Sequence, residues 1–303
     1  MANRGHRLRV AAAAAAVVGG LLAGSYLLVE RRPGQVPTAA PVVPLALLPG
    51  PSQAPLPDPV PAVRAALARY AAARRAHTGI AVLDRVTGRA VGYEDGARFP
   101  TASVVKLDIL ATLLWQHQRT GRPLSAGQKH AATEMITESD NEAADALWTE
   151  IGGASGLAQA NRVFGLTRTT PNRAGYWGLT TTTAADQVRL LGVLADPAGP
   201  LSAGSRGYAL GLLARVRAGQ RWGVPRAAAG PTAVYVKDGW LASVTDRGRW
   251  IVNSVGRIIE PGHDWLVAVL SDHNPTEGGG IGTVEHLATT AVAGLRATPN
   301  PVS

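Results

Sequence analysis

The 303-residue chain contains no cysteine. That absence excludes a disulfide framework, a thiolate nucleophile, a thiolate metal site and a cysteine-linked lipid. It leaves the redox compartment open. Lysine is almost as scarce: only Lys106, Lys129 and Lys237 occur, so the net charge of +9 is carried mainly by arginine. The arginines are scattered, with neither a dense basic block nor aromatic–basic interleaving. The charge therefore reads as solvated surface, and no nucleic-acid partner is expected. No H-E-x-x-H and no close pair of histidines with an acid occurs along the sequence, so neither a metal nor another cofactor is expected. G-x-S-x-G is also missing, and the seven histidines fall in no Ser-His-Asp pattern.

What is present begins with a targeting segment. Residues 1–9 form a basic n-region with Arg4, Arg7 and Arg9, and residues 10–29, from Val10 to Val29, carry no charge. A span of about 20 residues fits an uncleaved signal-anchor better than a cleaved signal peptide, whose apolar core is about 7–15 residues. Either reading makes the rest of the chain exported, membrane-tethered or secreted. Residues 30–59 are a proline-rich linker of polyproline character. The folded domain is expected over 60–297, with a tail at 298–303. The length of 303 residues suits one large domain or two small ones, and a monomer is expected.

Within that domain, helices are predicted over 61–76, from Ala102 or Ser103 onward, and over 125–137, 141–151, 156–164, 183–195, 202–217 and 281–296. Strands are predicted at 79–84 and 89–94, joined at Gly88, and at 233–237, 249–256 and 264–271. Strands at both ends around a helical block imply an α/β (α+β) fold: an antiparallel sheet built from both termini, flanked by helices, plus an all-helical lobe. The cleft between the two is where a site is expected.

Two of the three lysines sit in chemically suggestive company. Lys106 falls in an apolar helical run, three residues after Ser103, so both share one helix face. A buried lysine has a depressed pKa, and a neutral amine beside a hydroxyl can take its proton. A stem that packs while its head reaches water would place a lysine there equally well. Ser139-Asp140-Asn141 lies between two predicted helices, where Ser139 or Asp140 can cap the second. Lys237 ends a β-branched strand and is followed by Asp238-Gly239.

Taken together, S-x-x-K, S-D-N and K-x-G in this order resemble the serine β-lactamase and penicillin-binding protein superfamily, most closely class A β-lactamases. "RFPTASVVK", "SDNEAADALWTEIGG", "TTTAADQVRLL" and "GRWIVNSVGRIIEPGHDWLVAVLSD" extend the resemblance over roughly 60–297. The resemblance implies Ser103 as acylated nucleophile, Lys106 as base or proton relay, and Ser139 as proton donor to the leaving nitrogen. It implies Lys237 as a positive charge beside Ser139 and the substrate carboxylate. Asn141, Asp238, Gly239 and Arg249 would meet the substrate, Asp140 would be structural, and the backbone N–H groups of Ser103 and Trp240 would form the oxyanion hole. The implied partner is a small-molecule β-lactam or a peptidoglycan peptide.

Three departures qualify that picture. Residues 151–185 contain no Asp or Glu, so the omega-loop base of class A enzymes is missing, and Asn161 and Asn172 cannot deprotonate water. Glu138 and Glu142, beside the S-D-N motif, read first as helix-surface residues and second as substitutes for that base. Asp238 stands where the motif has Ser or Thr, offering a carboxylate only acceptors and a like charge. The interval from Ser103 to Ser139 is short, which predicts a more open cleft. The expected function is an exported serine hydrolase that forms an acyl-enzyme on Ser103, with doubtful β-lactam turnover. The alternatives are a non-catalytic penicillin- or peptidoglycan-binding envelope module and a D-Ala peptidase or esterase.

Overall fold

The computed structural model describes residues 58–74 and 77–297. The basic n-region, the apolar segment, the linker up to residue 57 and the tail lie outside the described residues. Among the described residues no helix is long and apolar enough to cross a membrane.

The chain opens with α1 (Val60–Arg74), then the hairpin β1 (His77–Asp84) and β2 (Ala90–Tyr93). The turn between them holds Gly88 at φ 72°, a left-handed conformation that glycine adopts without strain. After the two-residue strand β3 (Phe99–Pro100), a 3-10 turn (Ala102–Val104) leads into α2 (Val105–Thr120). The helical lobe continues with α3 (Ala126–Thr133), a π-helical turn (Glu134–Glu138), α4 (Asn141–Glu150) and α5 (Gly153–Phe164). The chain returns through β4 (Thr181–Thr182), α6 (Ala184–Ala195) and α7 (Ala203–Leu213). It closes with β5 (Ala233–Ala242), β6 (Trp250–Glu260), β7 (His263–Asn274) and α8 (Glu277–Arg296).

The five long strands form one antiparallel sheet in the order β2-β1-β7-β6-β5, so both chain ends build it and β5 is a free edge. In β7, Trp265, Val267 and Val269 pack with Val63, Leu67, Leu287 and Ala291 of α1 and α8. The alternate residues Leu266, Ala268 and Leu270 pack toward α2, α6 and the lobe. Period-two alternation therefore feeds two cores, which is why this stretch reads as a continuous apolar run. Each fully buried leucine or valine contributes about 1.5–3 kcal/mol relative to exposure. The larger core holds α2 by Leu107, Ile109, Leu110 and Leu113. The helix that begins at the Ser103 turn is thus anchored along most of its length.

Two expectations change. β5 does not end at Lys237 but runs on to Ala242, pairing with β6 throughout. Two buried titratable residues, Lys237 and Asp238, therefore sit in mid-strand. The helix predicted over 125–137 divides, its last turn widening into the π-helical turn that leads to Ser139. A π-helical turn of this kind is frequent at functional sites.

Candidate active site

Asn253, in the middle of β6, fixes the entry to α2. It is fully buried, its Nδ2 donates to the carbonyls of Pro100 and Thr101 at 2.9 Å each, and its Oδ1 accepts from Ser271 N–H at 3.0 Å. Thr101 N–H donates to Thr180 O at 2.8 Å. These bonds hold Ala102 at φ 46°, a conformation that costs a non-glycine residue about 1–3 kcal/mol. Strain therefore sits immediately before Ser103. Among the described residues the Ser103 hydroxyl has no hydrogen-bond partner, and it lines a cleft of about 520 Å³ with Asn141, Asp145, Trp177 and Trp240.

Lys106 is fully buried, one turn along. Its Nζ donates to Ser139 O at 2.5 Å, Asn141 Oδ1 at 2.8 Å and Ser139 Oγ at 3.2 Å. It also lies 4.9 Å from the centre of the Trp177 ring, a cation–π distance. The amine therefore engages the S-D-N motif and not the Ser103 oxygen. Burial, reinforced by the charge on Lys237, pulls Lys106 down to about 7, against opposing pulls from Asp140 and Asp145.

Ser139 is held in the left-handed region (φ 57°), and Asp140 caps α4 by accepting Ala143 N–H at 2.7 Å. Lys237 Nζ donates to Ser139 Oγ at 3.1 Å. One hydroxyl thus accepts from two lysines, which occupies both lone pairs and leaves its proton to point elsewhere. On the neighbouring strand position, Gly239 passes so close to the 3-10 turn that a Cβ there would lie 2.6 Å from Ser103 N and 2.7 Å from Val104 N. Glycine is needed because the β5 backbone abuts the Ser103 turn. Five predicted residues, Ser103, Lys106, Ser139, Asn141 and Lys237, are brought together here, with Gly239 and Trp240 alongside.

Two residues expected to meet the substrate are engaged elsewhere in this structure. Asp238 alternates with Lys237 on the strand and is not among the cleft-lining residues. Its fully buried carboxylate accepts Trp222 N–H at 3.0 Å. Burial pushes it well above the carboxylate range, against the lowering influence of Ser254 and Lys237. A raised folded pKa means stability present below pH 4 is lost as pH rises. Asp238→Asn is therefore expected to melt above the parent by a margin that widens from pH 4 to 8; thermal scans across that range check it. Arg249 sits beyond the start of β6, beside Asp246 at 3.4 Å. Ser254 and not Arg249 is the strand partner of Asp238. Glu138 pairs with Arg217 at 2.8 Å and Glu142 is exposed; neither lines the cleft.

Three contributors escaped sequence reasoning. Asp145 lines the cleft, and Trp177 Nε1–H donates to its Oδ1 at 2.6 Å. Asp145 is four residues after Asn141 on α4, a same-face spacing that could have flagged it. Asn253, inside an apolar strand, gave no signal. Neither did the grouping of His77, Asp272 and His273, whose ligand atoms lie within 4.8 Å of one another. The absence of a close histidine pair along the sequence does not hold in space.

A two-lobed body with S-x-x-K, S-D-N and K-x-G converging on one cleft defines a class A β-lactamase-like protein. The chain belongs to the beta-lactamase enzyme family, whose profile matches residues 115–295. That span includes Ser139 and Lys237 but starts after Ser103 and Lys106. Among solved structures, a beta lactamase from Burkholderia vietnamiensis superposes with a TM-score of 0.69 at 20% identity, covering 78% of this chain and 98% of that one. A beta lactamase from Xanthomonas campestris gives 0.66 at 19% identity, covering 78% and 98%. Among curated proteins, "Putative lipoprotein LppW" of Mycobacterium bovis is 33% identical over 208 residues, 66% of this chain. The chain spans 65% of the length of that relative.

Proposed function

We propose that this protein is an exported serine hydrolase that forms an acyl-enzyme on Ser103 with a β-lactam or a peptidoglycan-like amide. The observation that carries the reading is the clamp of two lysines on Ser139 beside an unpartnered Ser103 hydroxyl. Burial, with the charge on Lys237 adding to it, holds the Lys106 amine at about 7, so a neutral fraction is present at physiological pH. In the proposed acylation, the Ser103 proton passes to the neutral Lys106 amine as Oγ bonds the substrate carbonyl carbon. The developing oxyanion rests on the N–H groups of Ser103 and Trp240; β5 is a sheet edge, so alternate N–H groups along it are free of strand pairing. Ser139 hands its proton to the leaving nitrogen as the C–N bond breaks, and is reprotonated from the lysines that it contacts. Asn141 and Lys237 hold the substrate amide and carboxylate.

Release is the slow half. Residues 151–185 supply no acid, and Trp177, from that segment, lies over Lys106. The acyl ester is thus left without an omega-loop base to activate water. Export rests on the N-terminal segment and is in keeping with the name of the curated relative. A second reading, a penicillin- or peptidoglycan-binding module, draws on the same missing acid.

Intact mass spectrometry of the full-length chain with a penicillin tests the proposal. The expected result is an adduct of the whole penicillin mass, persistent over hours and absent in Ser103→Ala. Rapid turnover of a chromogenic β-lactam would overturn the slow release. Lack of any adduct with lactam, ester and peptide probes would leave the binding module. The rate of adduct formation has a predictable pH dependence. Only the neutral amine accepts the proton, so the rate should fall about tenfold per pH unit below 7 and level off above it. A flat profile from pH 5 to 9 would remove Lys106 from the base role.

A further inference from the structure

At the corner where β1 begins and β7 ends, four titratable side chains meet outside the cleft. His77 and Asp272 are cross-strand partners in the β1–β7 register, and His77 Nδ1 lies 2.6 Å from Asp272 Oδ1. The next residue along β7 would normally point to the other face of the sheet. Here it does not: His273 has φ 58°, and the β6–β7 register slips between Trp250 and Val252. The bulge turns His273 back, leaving its Nε2 3.6 Å from the same Asp272 oxygen. Bulges that re-aim a side chain in this way recur beside functional sites, and a left-handed histidine is a strain that calls for a reason.

We infer that His77, Asp272 and His273 form a binding site for a zinc-class divalent cation, with Asp246 as its outer carboxylate. Two imidazoles and one carboxylate are ordinary zinc donors, and a fourth position would stay open to water. Tetrahedral zinc with ligands at about 2.0–2.1 Å sets donor atoms roughly 3.4 Å apart. The His273–Asp272 separation already fits. The His77–Asp272 contact must open by less than about 1 Å, which the half-exposed His77 ring can supply by a small rotation. Phe99, stacked on that ring at 4.4 Å, keeps it in the plane of the corner.

The second observation is independent of ligand spacing. His273 presents Nε2 to the corner while its Nδ1 hydrogen-bonds Asp246 Oδ2. Metal-bound histidines characteristically give their other N–H to a carboxylate, which fixes the ring and strengthens the donor nitrogen. Asp246 belongs to the turn joining β5 and β6, and Ser243, Val244 and Thr245 of that turn line the cleft. An ion at the corner therefore also braces one wall of the cleft.

Titration calorimetry of the untagged full-length chain with zinc chloride tests the site. One zinc per chain is expected. Binding should be lost in His273→Ala and in Asp272→Asn, weakened about 10–100-fold with stoichiometry kept in Asp246→Asn, and unchanged in His130→Ala, an exposed histidine on α3. Far-UV circular dichroism establishes that each variant is folded. Zinc should also slow hydrogen exchange in residues 243–249. Less than one zinc per chain, or binding retained in a folded His77→Ala/His273→Ala double variant, overturns the inference. Unchanged exchange in the turn overturns the brace.

Discussion

On the proposed mechanism, Gly239→Ala is expected to slow acylation of Ser103 by about 100-fold or more while leaving the fold intact. The reason is a backbone contact that no side chain can relieve. A Cβ on residue 239 would sit 2.6 Å from Ser103 N, 2.7 Å from Val104 N and 3.1 Å from Ser103 C. A Cβ in ordinary contact stands 3.4–4 Å from its neighbours, so β5 and the 3-10 turn must separate by roughly 1 Å. The turn cannot move far. Asn253 grips the carbonyls of Pro100 and Thr101, and α2 behind it is packed along Leu107, Leu110 and Leu113. The edge strand moves instead, and it carries the Trp240 N–H away from Ser103. Losing one oxyanion donor costs about 10²–10³ in rate, and a displacement of 1 Å can cost about 10². The measurement is the rate constant for adduct formation, by intact mass, beside the melting temperature. A variant that acylates within threefold of the parent would show that the β5 backbone takes no part in the chemistry.

The same neighbourhood shows how far sequence reasoning reaches. The elements were legible because their patterns are local: apolar spacing set the helices, and Val-Tyr-Val set β5. The three motifs singled out Ser103, Lys106, Ser139, Asn141 and Lys237, which the fold brings together. Side-chain direction was harder. The resemblance puts Asp238 against the substrate, because it stands where the motif has a Ser or Thr that bonds the substrate carboxylate. Successive strand residues point to opposite faces, so once β5 runs on through Trp240 and Leu241, Asp238 must be buried behind the sheet. The alternation in Val-Lys-Asp-Gly-Trp held that information, but reading the motif as a strand end hid it. Arg249 lies away from Asp238 for a related reason. The register pairs Asp238 with Ser254, and register depends on the turn between β5 and β6, which no local pattern specifies. The histidine corner was out of reach altogether, since His77 and Asp272 are 195 residues apart.

Asn253 combines these threads, and its loss should be felt in both stability and rate. Asn253→Ala is expected to destabilise the protein by about 3 kcal/mol, lowering Tm by about 6–12 °C for a domain of this size. The side chain is fully buried and uses both ends of its amide. Without it, Ser271 N–H is left as a buried donor with no acceptor from residue 253, at a cost of about 1–3 kcal/mol. The carbonyls of Pro100 and Thr101 lose a shared donor, although Thr101 O keeps Val104 N–H at 3.3 Å. The cavity adds a further term. The kinetic effect follows from what those carbonyls do: they hold the turn that keeps Ala102 at positive φ. Released, Ala102 relaxes toward the right-handed region, and the Ser103 N–H and hydroxyl swing from their places by the full change in that dihedral. Acylation should fall by at least tenfold. Asn253→Asp separates volume from bonding. It fills the same space and still accepts from Ser271 N–H, but an ionised carboxylate oxygen then faces two carbonyls in place of a donor. It should therefore be no more stable than Asn253→Ala at pH 7, and should recover as pH falls and the carboxyl protonates. An Asn253→Asp chain as stable as the parent at pH 7 would sink this account, because shape and not hydrogen bonding would then be what residue 253 supplies.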